Sequence, residues 1–208
     1  MKSILSIIEE ISQNEPDATW ISHKTFTKNT VINNKNLISH FVIVADGIIH
    51  LEITRAQILQ FYKEGDMIYQ SPYDINVHDQ VSIVCDTDTK LIFVDREIFS
   101  DFAANKTEYM EVLLKSVLKN TSDLCLELMK HDLTVEPRIT YTLQKFCDRV
   151  APTLHGEYQE IPDFLNKSKL AHYGNFSRKS LYDKLDSLEE QDIIKQHNQK
   201  LYIKTSAS

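Results

Sequence analysis

No stretch of this chain is apolar for long enough to span a bilayer, so a membrane-embedded helical protein is excluded at the outset. Cysteine is scarce. Cys85, Cys125 and Cys147 stand far apart and fit neither a disulfide framework nor a Cys-x-x-Cys metal site. They read as small core residues of a cytoplasmic protein. Arginine is missing altogether between Arg55 and Arg96. Positive charge is short overall: 23 Lys and Arg stand against 30 Asp and Glu, a formal net charge of −7 that argues against general polyanion binding. The first ten residues meet Glu9-Glu10 too early for a secretory leader and read as an amphipathic helix.

What is present is ordinary in bulk. The chain has 208 residues, 42% hydrophobic and 25% charged, enough for one large or two modest folded domains. Its charge is unevenly divided. Residues 1–133 hold 12 basic against 20 acidic side chains, whereas residues 134–208 hold 11 against 10. From Asn166 to Tyr182 there are four basic residues (Lys167, Lys169, Arg178 and Lys179) and no acidic one. An acidic body with a local basic face suits salt-sensitive contact with phosphates.

The strongest local signal lies between Ile161 and Ile203. Phe164–Tyr173 predicts a helix, ended by Gly174-Asn175, a pair that tolerates positive φ. Ser177 suits the N-cap of a second helix, in which Leu181, Leu185 and Leu188 recur at helical spacing and form one buried face. Polar and basic residues on the exposed first turn of such a helix, Ser177-Arg178-Lys179-Ser180, are what a major groove accepts. Lys195–Ile203 predicts two short strands around a polar tip. The sequence of helix, turn, helix and hairpin predicts a winged helix-turn-helix.

Upstream, residues from about Thr25 to Val94 are strand-like. Phe41–Ala45 ends at the turn signal Asp46-Gly47, and Ile48–Ile53 follows as a strand. Ala56–Tyr62 leads to a turn at Glu64-Gly65-Asp66; Val81–Cys85 and Lys90–Val94 are joined by Asp86–Thr89. Regularly spaced short strands predict an antiparallel roll. From Glu97 to Met129 the chain has neither Gly nor Pro, and the period changes. Met110, Leu114, Val117, Thr121, Leu124, Leu128 and His131 fall at alternating four and three spacing, the seam of a helix that pairs with a second copy. Asn120–Asp123 is weak helix material and predicts a bend or a loose seam there. Leu113, Leu118 and Leu126 fall on other faces and are expected to cover the roll. After a hinge at Asp132–Pro137, with Pro137 as first helical residue, Arg138–Val150 predicts a helix and Ala151–Pro162 a loop. The whole reads as an α+β protein: a roll over 1–104, a seam helix over 105–132 and a winged helix-turn-helix over 133–208.

In this order the elements resemble the CRP/FNR superfamily of bacterial transcription regulators over nearly the whole chain. Ser177-Arg178-Lys179-Ser180-Leu181 with Leu185, Leu188, Glu189, Gln191 and Ile194 is similar to that family's recognition helix and its lead into the wing. Leu170-Ala171 resembles the apolar-Ala pair of the preceding helix, and Glu64-Gly65-Asp66 the Pro-Gly-Asp turn of the roll. The resemblance implies a cupin-like, cyclic-nucleotide-binding-domain-like roll and a long dimerisation helix. It also implies a homodimer that sets two recognition helices in successive major grooves of a palindromic operator. RNA polymerase is a further partner it suggests; no membrane, catalytic role, metal or cofactor is expected. On this chain Arg178 and Lys179 would contact base edges, Ser177 and Ser180 phosphates or bases, and Tyr182 sugar or phosphate. Asn166 would cap the first helix, Lys167 would meet a phosphate, and Lys200 at the wing would meet the flanking backbone. Asp183, one turn on from Lys179, would orient that amine or accept from cytosine N4.

The departures from the family pattern carry information. Asn175 stands where the turn usually has Gly, and Gly174 and Lys184 occupy positions that are usually apolar. After Gly65 the chain has no Arg-Ser or Arg-Thr to meet a cyclic phosphate, and Asp66, Asp74 and Asp79 surround the site. The expectation is therefore a regulator of the Gram-positive type that does not answer to cyclic nucleotides. No N-terminal Cys cluster suits an iron–sulfur centre, and a lone His78 does not make a haem site. Two alternatives remain. One is an interaction or sensor module whose helix-turn-helix has lost DNA, suggested by the acidic run Asp183, Asp186, Glu189, Glu190 and Asp192. The other is a cupin-type enzyme using His40, His50 and His78, disfavoured because no His-x-His pattern accompanies them.

Overall fold

A computed structural model describes residues 2–15, 18–33, 35–53, 57–69, 81–150, 153–198 and 200–205. The chain forms two compact units. One comprises Met1–Thr54 and Phe61–Leu124, the other Arg55–Gln60 and Cys125–Ser208. Arg55 itself, His78 and the segment 70–80, on which the expected loss of the nucleotide site bears, lie outside the described residues.

The first unit opens with α1 (Ile4–Asn14), the amphipathic helix expected from the sequence. Ile4, Ile7, Ile8 and Ile11 share one face and are buried; Ser3 and Ser6 cap the start reciprocally. The strands are β1 (Ile21–Phe26), β2 (Val31–Asn33), β3 (His40–Asp46), β4 (Ile48–Ile53), β5 (Gln57–Lys63, divided between the units), β6 (Met67–Ile68), β7 (Val81–Cys85) and β8 (Thr89–Asp95). A short helix α2 (Lys35–Ser39), not anticipated, precedes β3. One sheet has the order β1-β8-β3-β6 and another joins β2, β7 and β4. The pairings β1–β8, β3–β8, β3–β6, β2–β7 and β4–β7 all run antiparallel, as a roll requires. The β3–β4 turn needs Gly47 on two counts: its φ is +89°, and a Cβ there would overlap the Asp88 carbonyl oxygen.

Phe41, Ile43, Ile92 and Val94 from the first sheet pack with the isoleucines of α1, with Phe99 and Ala103 of α3 (Arg96–Ala104), and with Tyr109 and Val112 of α4 (Thr107–Met129). The Gly- and Pro-free stretch is thus two helices. Asp95 caps α3, accepting from the Glu97 and Ile98 amides, and Asn105-Lys106 separates it from α4. Helix α4 runs without interruption through Asn120–Asp123, the stretch of weak helix propensity. Asn120 is buried and donates to the Met67 carbonyl oxygen at 2.5 Å, and Lys119 pairs with buried Asp66 at 2.6 Å. Tertiary anchors offset weak propensity there. Leu118 and Leu126 do not cover the roll: both are exposed, and Tyr109, Val112, Leu113 and Asn120 take that role. In the same unit His50 is buried with its Nδ1 2.7 Å from buried Asp86.

The second unit contains the end of α4, a 3-10 turn (Lys130–Asp132), and α5 (Val135–Val150). It continues with β9 (Leu154–His155), β10 (Tyr158–Glu160), α6 (Lys167–Gly174), α7 (Arg178–Glu190), β11 (Ile194–His197) and β12 (Lys200–Lys204). Pro137 is the third residue of α5, not the first; within the first turn its missing N–H still costs nothing. Part of the expected loop 151–162 is a hairpin, β9–β10, turning at Gly156 with φ +64°, and it extends the wing to a four-stranded antiparallel sheet β11-β12-β10-β9. The buried apolar residues of this unit include Ile139, Leu143 and Phe146 of α5, Leu170 and Tyr173 of α6, and Leu181, Leu185 and Leu188 of α7, with Ile194 and Ile203 from the wing. Cys147 is also buried, and burial pushes its thiol up to about 12. Cys85 is buried as expected, but Cys125 is exposed on α4, so the reading of three core cysteines is corrected at that position. Among the described residues no helix is long and apolar enough to cross a membrane.

Candidate nucleic-acid interface

Local chemistry sets the helix-turn-helix. Asn166 opens α6, its side chain accepting from the Lys169 amide at 2.9 Å. Phe164 and Leu165, which the sequence pattern counts as the helix start, lie ahead of it. Asn175 ends α6 in the left-handed region, φ +53°, so the turn keeps its shape without the usual glycine. Gly174 serves a different purpose: it is helical, and a Cβ on it would collide with the Phe176 ring. Phe176 occupies the space an apolar side chain would otherwise take. Ser177 caps α7, accepting from the Ser180 amide at 3.0 Å. The other unusual position, Lys184, is held by Glu136 of α5, which also accepts from Ser187 at 2.7 Å.

This frame presents Ser177, Arg178 and Lys179 to solvent on the first turn of α7, with Ser180 half-buried behind them. Tyr182 is 47% exposed one turn along. Arg178 Nη2 lies 3.4 Å from Ser168 Oγ. Lys167 Nζ donates to Gln196 Oε1 of β11 at 2.6 Å and stands 4.9 Å from the centroid of the Tyr182 ring. A cleft of about 710 Å³ brings together Asn166, Lys167, Ser168, Tyr182, Asn198 and Lys200 over a floor that includes Ile161, Leu165 and Leu201. Four of the eight expected DNA-contacting residues line it. A smaller concavity of about 210 Å³ holds Ser177, Lys179, Ser180 and Asp183, with Lys184. Arg178 lines neither and is exposed at the helix start.

Lys200 is engaged. Its amine donates to Glu160, which also meets His155 Nε2 at 3.0 Å. That bond to Glu160 raises the Lys200 pKa and holds the Glu160 carboxyl low. Sequence reading missed Gln196, Ser168 and Asn198. Asn198 at the wing tip has φ +49°, and an asparagine in a polar hairpin was the available signal; nothing local marked Gln196.

The expected seam residues lie along α4. Met110, Leu114, Thr121, Leu124 and Leu128 are exposed, Leu128 at 70%, and Val117 is half-buried. Thr121 turns its hydroxyl back to the Val117 carbonyl oxygen at 3.0 Å. His131 falls in the 3-10 turn beyond α4, so the stripe ends at Leu128.

No family model and no curated protein matches the sequence. Solved structures do match the fold. A cyclic nucleotide-binding domain containing protein from Listeria monocytogenes EGD-e is 19% identical with a TM-score of 0.78, over 96% of this chain and 97% of the other. A CooA mutant from Carboxydothermus hydrogenoformans is 14% identical with a TM-score of 0.75, over 99% and 92%. A CRP/FNR-family transcriptional regulator from Thermus thermophilus is 11% identical with a TM-score of 0.66, over 88% and 94%. At these identities the likeness is one of fold, and it extends over both units.

Proposed function

We propose that this chain, which carries the fold of CRP/FNR regulators, is a homodimeric, sequence-specific DNA-binding transcription regulator of that type. The observation that carries the reading is the exposure of Arg178 and Lys179 on the first turn of a capped second helix, beside a cleft edged by Lys167 and Tyr182. Arg178 donates two hydrogen bonds to guanine O6 and N7; Lys179 reaches a neighbouring base edge or phosphate. Lys167, the Tyr182 hydroxyl and the wing then hold the flanking phosphates, which fix register. Lys200 joins them by sharing its amine between Glu160 and the backbone. A second copy pairs through the apolar stripe on α4, so that a palindromic operator meets two such helices. Cyclic nucleotides play no part, since no arginine between Arg55 and Arg96 meets a cyclic phosphate. The protein works in the cytoplasm, catalyses no reaction, and acts on transcription with RNA polymerase as partner.

Selection of bound sites from a random duplex library tests this. The expected product is a palindrome with half-sites one helical turn apart, bound at two chains per duplex, and Arg178→Ala abolishes the selectivity. One observation favours a different reading: Asp183, Asp186, Glu189 and Glu190 are all exposed on the same helix. If no enrichment occurs and binding is unselective at every salt concentration, the chain is instead an interaction module with a helix-turn-helix that has lost DNA.

A further inference from the structure

Gln196 is a half-buried wing residue that ties β11 to both helices of the motif, α6 and α7. Its amide oxygen accepts from Lys167 Nζ at 2.6 Å, at the start of α6. Its amide nitrogen donates to Glu189 Oε2 at 3.0 Å and points to Asp186 Oδ1 at 3.4 Å, both on α7. Its backbone N–H donates to Glu189 Oε1 at 2.7 Å. The amide therefore stands between one cation and two carboxylates, with each end matched to its neighbour: carbonyl toward the ammonium, NH2 toward the acids.

This arrangement has an electrostatic consequence. A lysine amine within reach of two carboxylates is drawn into an ion pair with them, and a paired amine is a poor phosphate ligand. Gln196 occupies the acids with its own N–H groups and offers the lysine a neutral acceptor instead. The Tyr182 ring face, 4.9 Å from Nζ, limits the amine on another side without neutralising it. An ammonium has three donors, and one goes to Gln196. Lys167 thus lies at the edge of the cleft it shares with Asp163, Asn166, Ser168 and Lys200, with Gln196 as its close hydrogen-bond partner.

We propose that Gln196 is a positioning residue for DNA binding: it separates Lys167 from Glu189 and Asp186 and holds its amine toward a backbone phosphate. This rests on the DNA-binding reading above and adds a residue and a mechanism to it. Each phosphate neutralised contributes roughly 0.9 to the slope of log affinity against log salt. Loss of the Lys167 contact therefore has a signature that a general loosening of the wing does not share.

The test is a double-mutant cycle on the full-length protein, with binding to its selected duplex read across a salt series. Gln196→Met keeps length and removes both hydrogen-bonding ends; Lys167→Gln removes the charge. Each single change is expected to weaken binding about 3- to 10-fold near 0.1 M salt and to lower the slope by about one per bound chain. The double variant is expected to match Lys167→Gln alone. Binding by Gln196→Met with the wild-type affinity and slope, or a Gln196→Met loss that carries in full onto the Lys167→Gln background, overturns the proposal. Should the methionine variant unfold, Gln196→Asn, which shortens the reach but keeps the amide, is read in the same cycle against the same outcomes. A wild-type chain that binds no duplex overturns the DNA-binding reading as well; a wild type that binds, with additive losses, overturns the role of Gln196 alone.

Discussion

Tyr173 donates its hydroxyl to Glu127 Oε1 at 2.5 Å, across 46 residues of chain and wholly inside the second unit. The other carboxylate oxygen of Glu127 accepts from Lys130 Nζ at 2.5 Å, and the same amine donates to the Tyr173 carbonyl oxygen at 2.8 Å. That carbonyl lies in the last turn of α6, where helix carbonyls lack partners and the dipole is negative, so Lys130 caps the first helix of the motif from below. Lys130 also stands 3.7 Å from the Tyr173 ring centroid. Its side chain is 2% exposed and that of Glu127 7%. Burial lowers the Lys130 pKa and raises that of Tyr173, with Glu127 opposing the first shift and adding to the second. Such a cluster is costly to break from one side. Glu127→Ala strands a buried ammonium and is expected to lose about 3–5 kcal/mol in urea unfolding. The double change Glu127→Leu with Lys130→Met is expected to recover most of that. Equal losses for the single and the double variant would show that the ion pair is not what the site depends on.

The legible parts of this molecule are those written in short-range periodicity. Leu181, Leu185 and Leu188 announce the buried face of α7, and the isoleucines of α1 do the same for the first helix, because helical spacing alone decides those faces. Ser177 and the turn at Asn175 are legible for the same local reason. What escapes depends on partners distant in sequence. Asn120 reads as a weak point in α4 because its partner, the Met67 carbonyl, is 53 residues away. Lys184 reads as misplaced because Glu136 is 48 residues away. Leu118 is misassigned to the roll because a heptad count does not say which flank of a seam faces the body. The β9–β10 hairpin escapes because its strands are two and three residues long and bury only Tyr158. In the candidate interface, the basic turn is visible in the sequence and its wiring through Gln196 is not.

Gly174 offers a choice between two opposing effects. It sits in the last turn of α6, where Ala is preferred by up to roughly 1 kcal/mol. Against that, a Cβ there would overlap three carbons of the Phe176 ring. The Arg138 guanidinium stacks 5.0 Å from that ring, so displacing the ring disturbs a further contact. Overpacking typically costs about 1–3 kcal/mol, and the clash is expected to win. Gly174→Ala should lower the urea midpoint, while Gly174→Ala combined with Phe176→Leu should regain part of it. A stabilised single variant would mean that the ring moves aside freely.

The exposed stripe on α4 makes a separate prediction. Leu114 is 55% exposed in the single chain, so a polar replacement there costs one chain about 0.5 kcal/mol or less. Between two chains the same change inserts a charge into an apolar seam. Leu114→Glu is expected to leave the folded monomer intact by circular dichroism and to halve the mass in analytical ultracentrifugation. Leu128→Glu should act the same way, and both should weaken operator binding more than about 10-fold, because each half-site then binds alone. An unchanged sedimentation coefficient in both variants would remove α4 as the seam.

Acid should weaken the second unit. Lys204 Nζ at 2.6 Å and then the Tyr158 hydroxyl at 2.6 Å hold the Asp192 carboxyl down to about 2. Glu136 is lowered by the Ser187 hydroxyl and Lys184, and Glu160 chiefly by Lys200. In each case the folded chain holds its proton less tightly than the unfolded chain. Between the two pKa values the unfolded state therefore binds more protons, and stability rises with pH. The contribution of Asp192 is complete above its ordinary value of about 3.9 and is lost as pH falls toward 2. Thermal midpoints measured from about pH 6 to pH 2.5 should fall more steeply for the wild type than for Asp192→Asn, with the two curves converging at the acid end. The Asp192 side chain is exposed, so added salt near 1 M should compress the difference. A gap between the curves that stayed constant to the acid limit would mean that Asp192 supports the wing by packing and hydrogen bonding rather than by its charge.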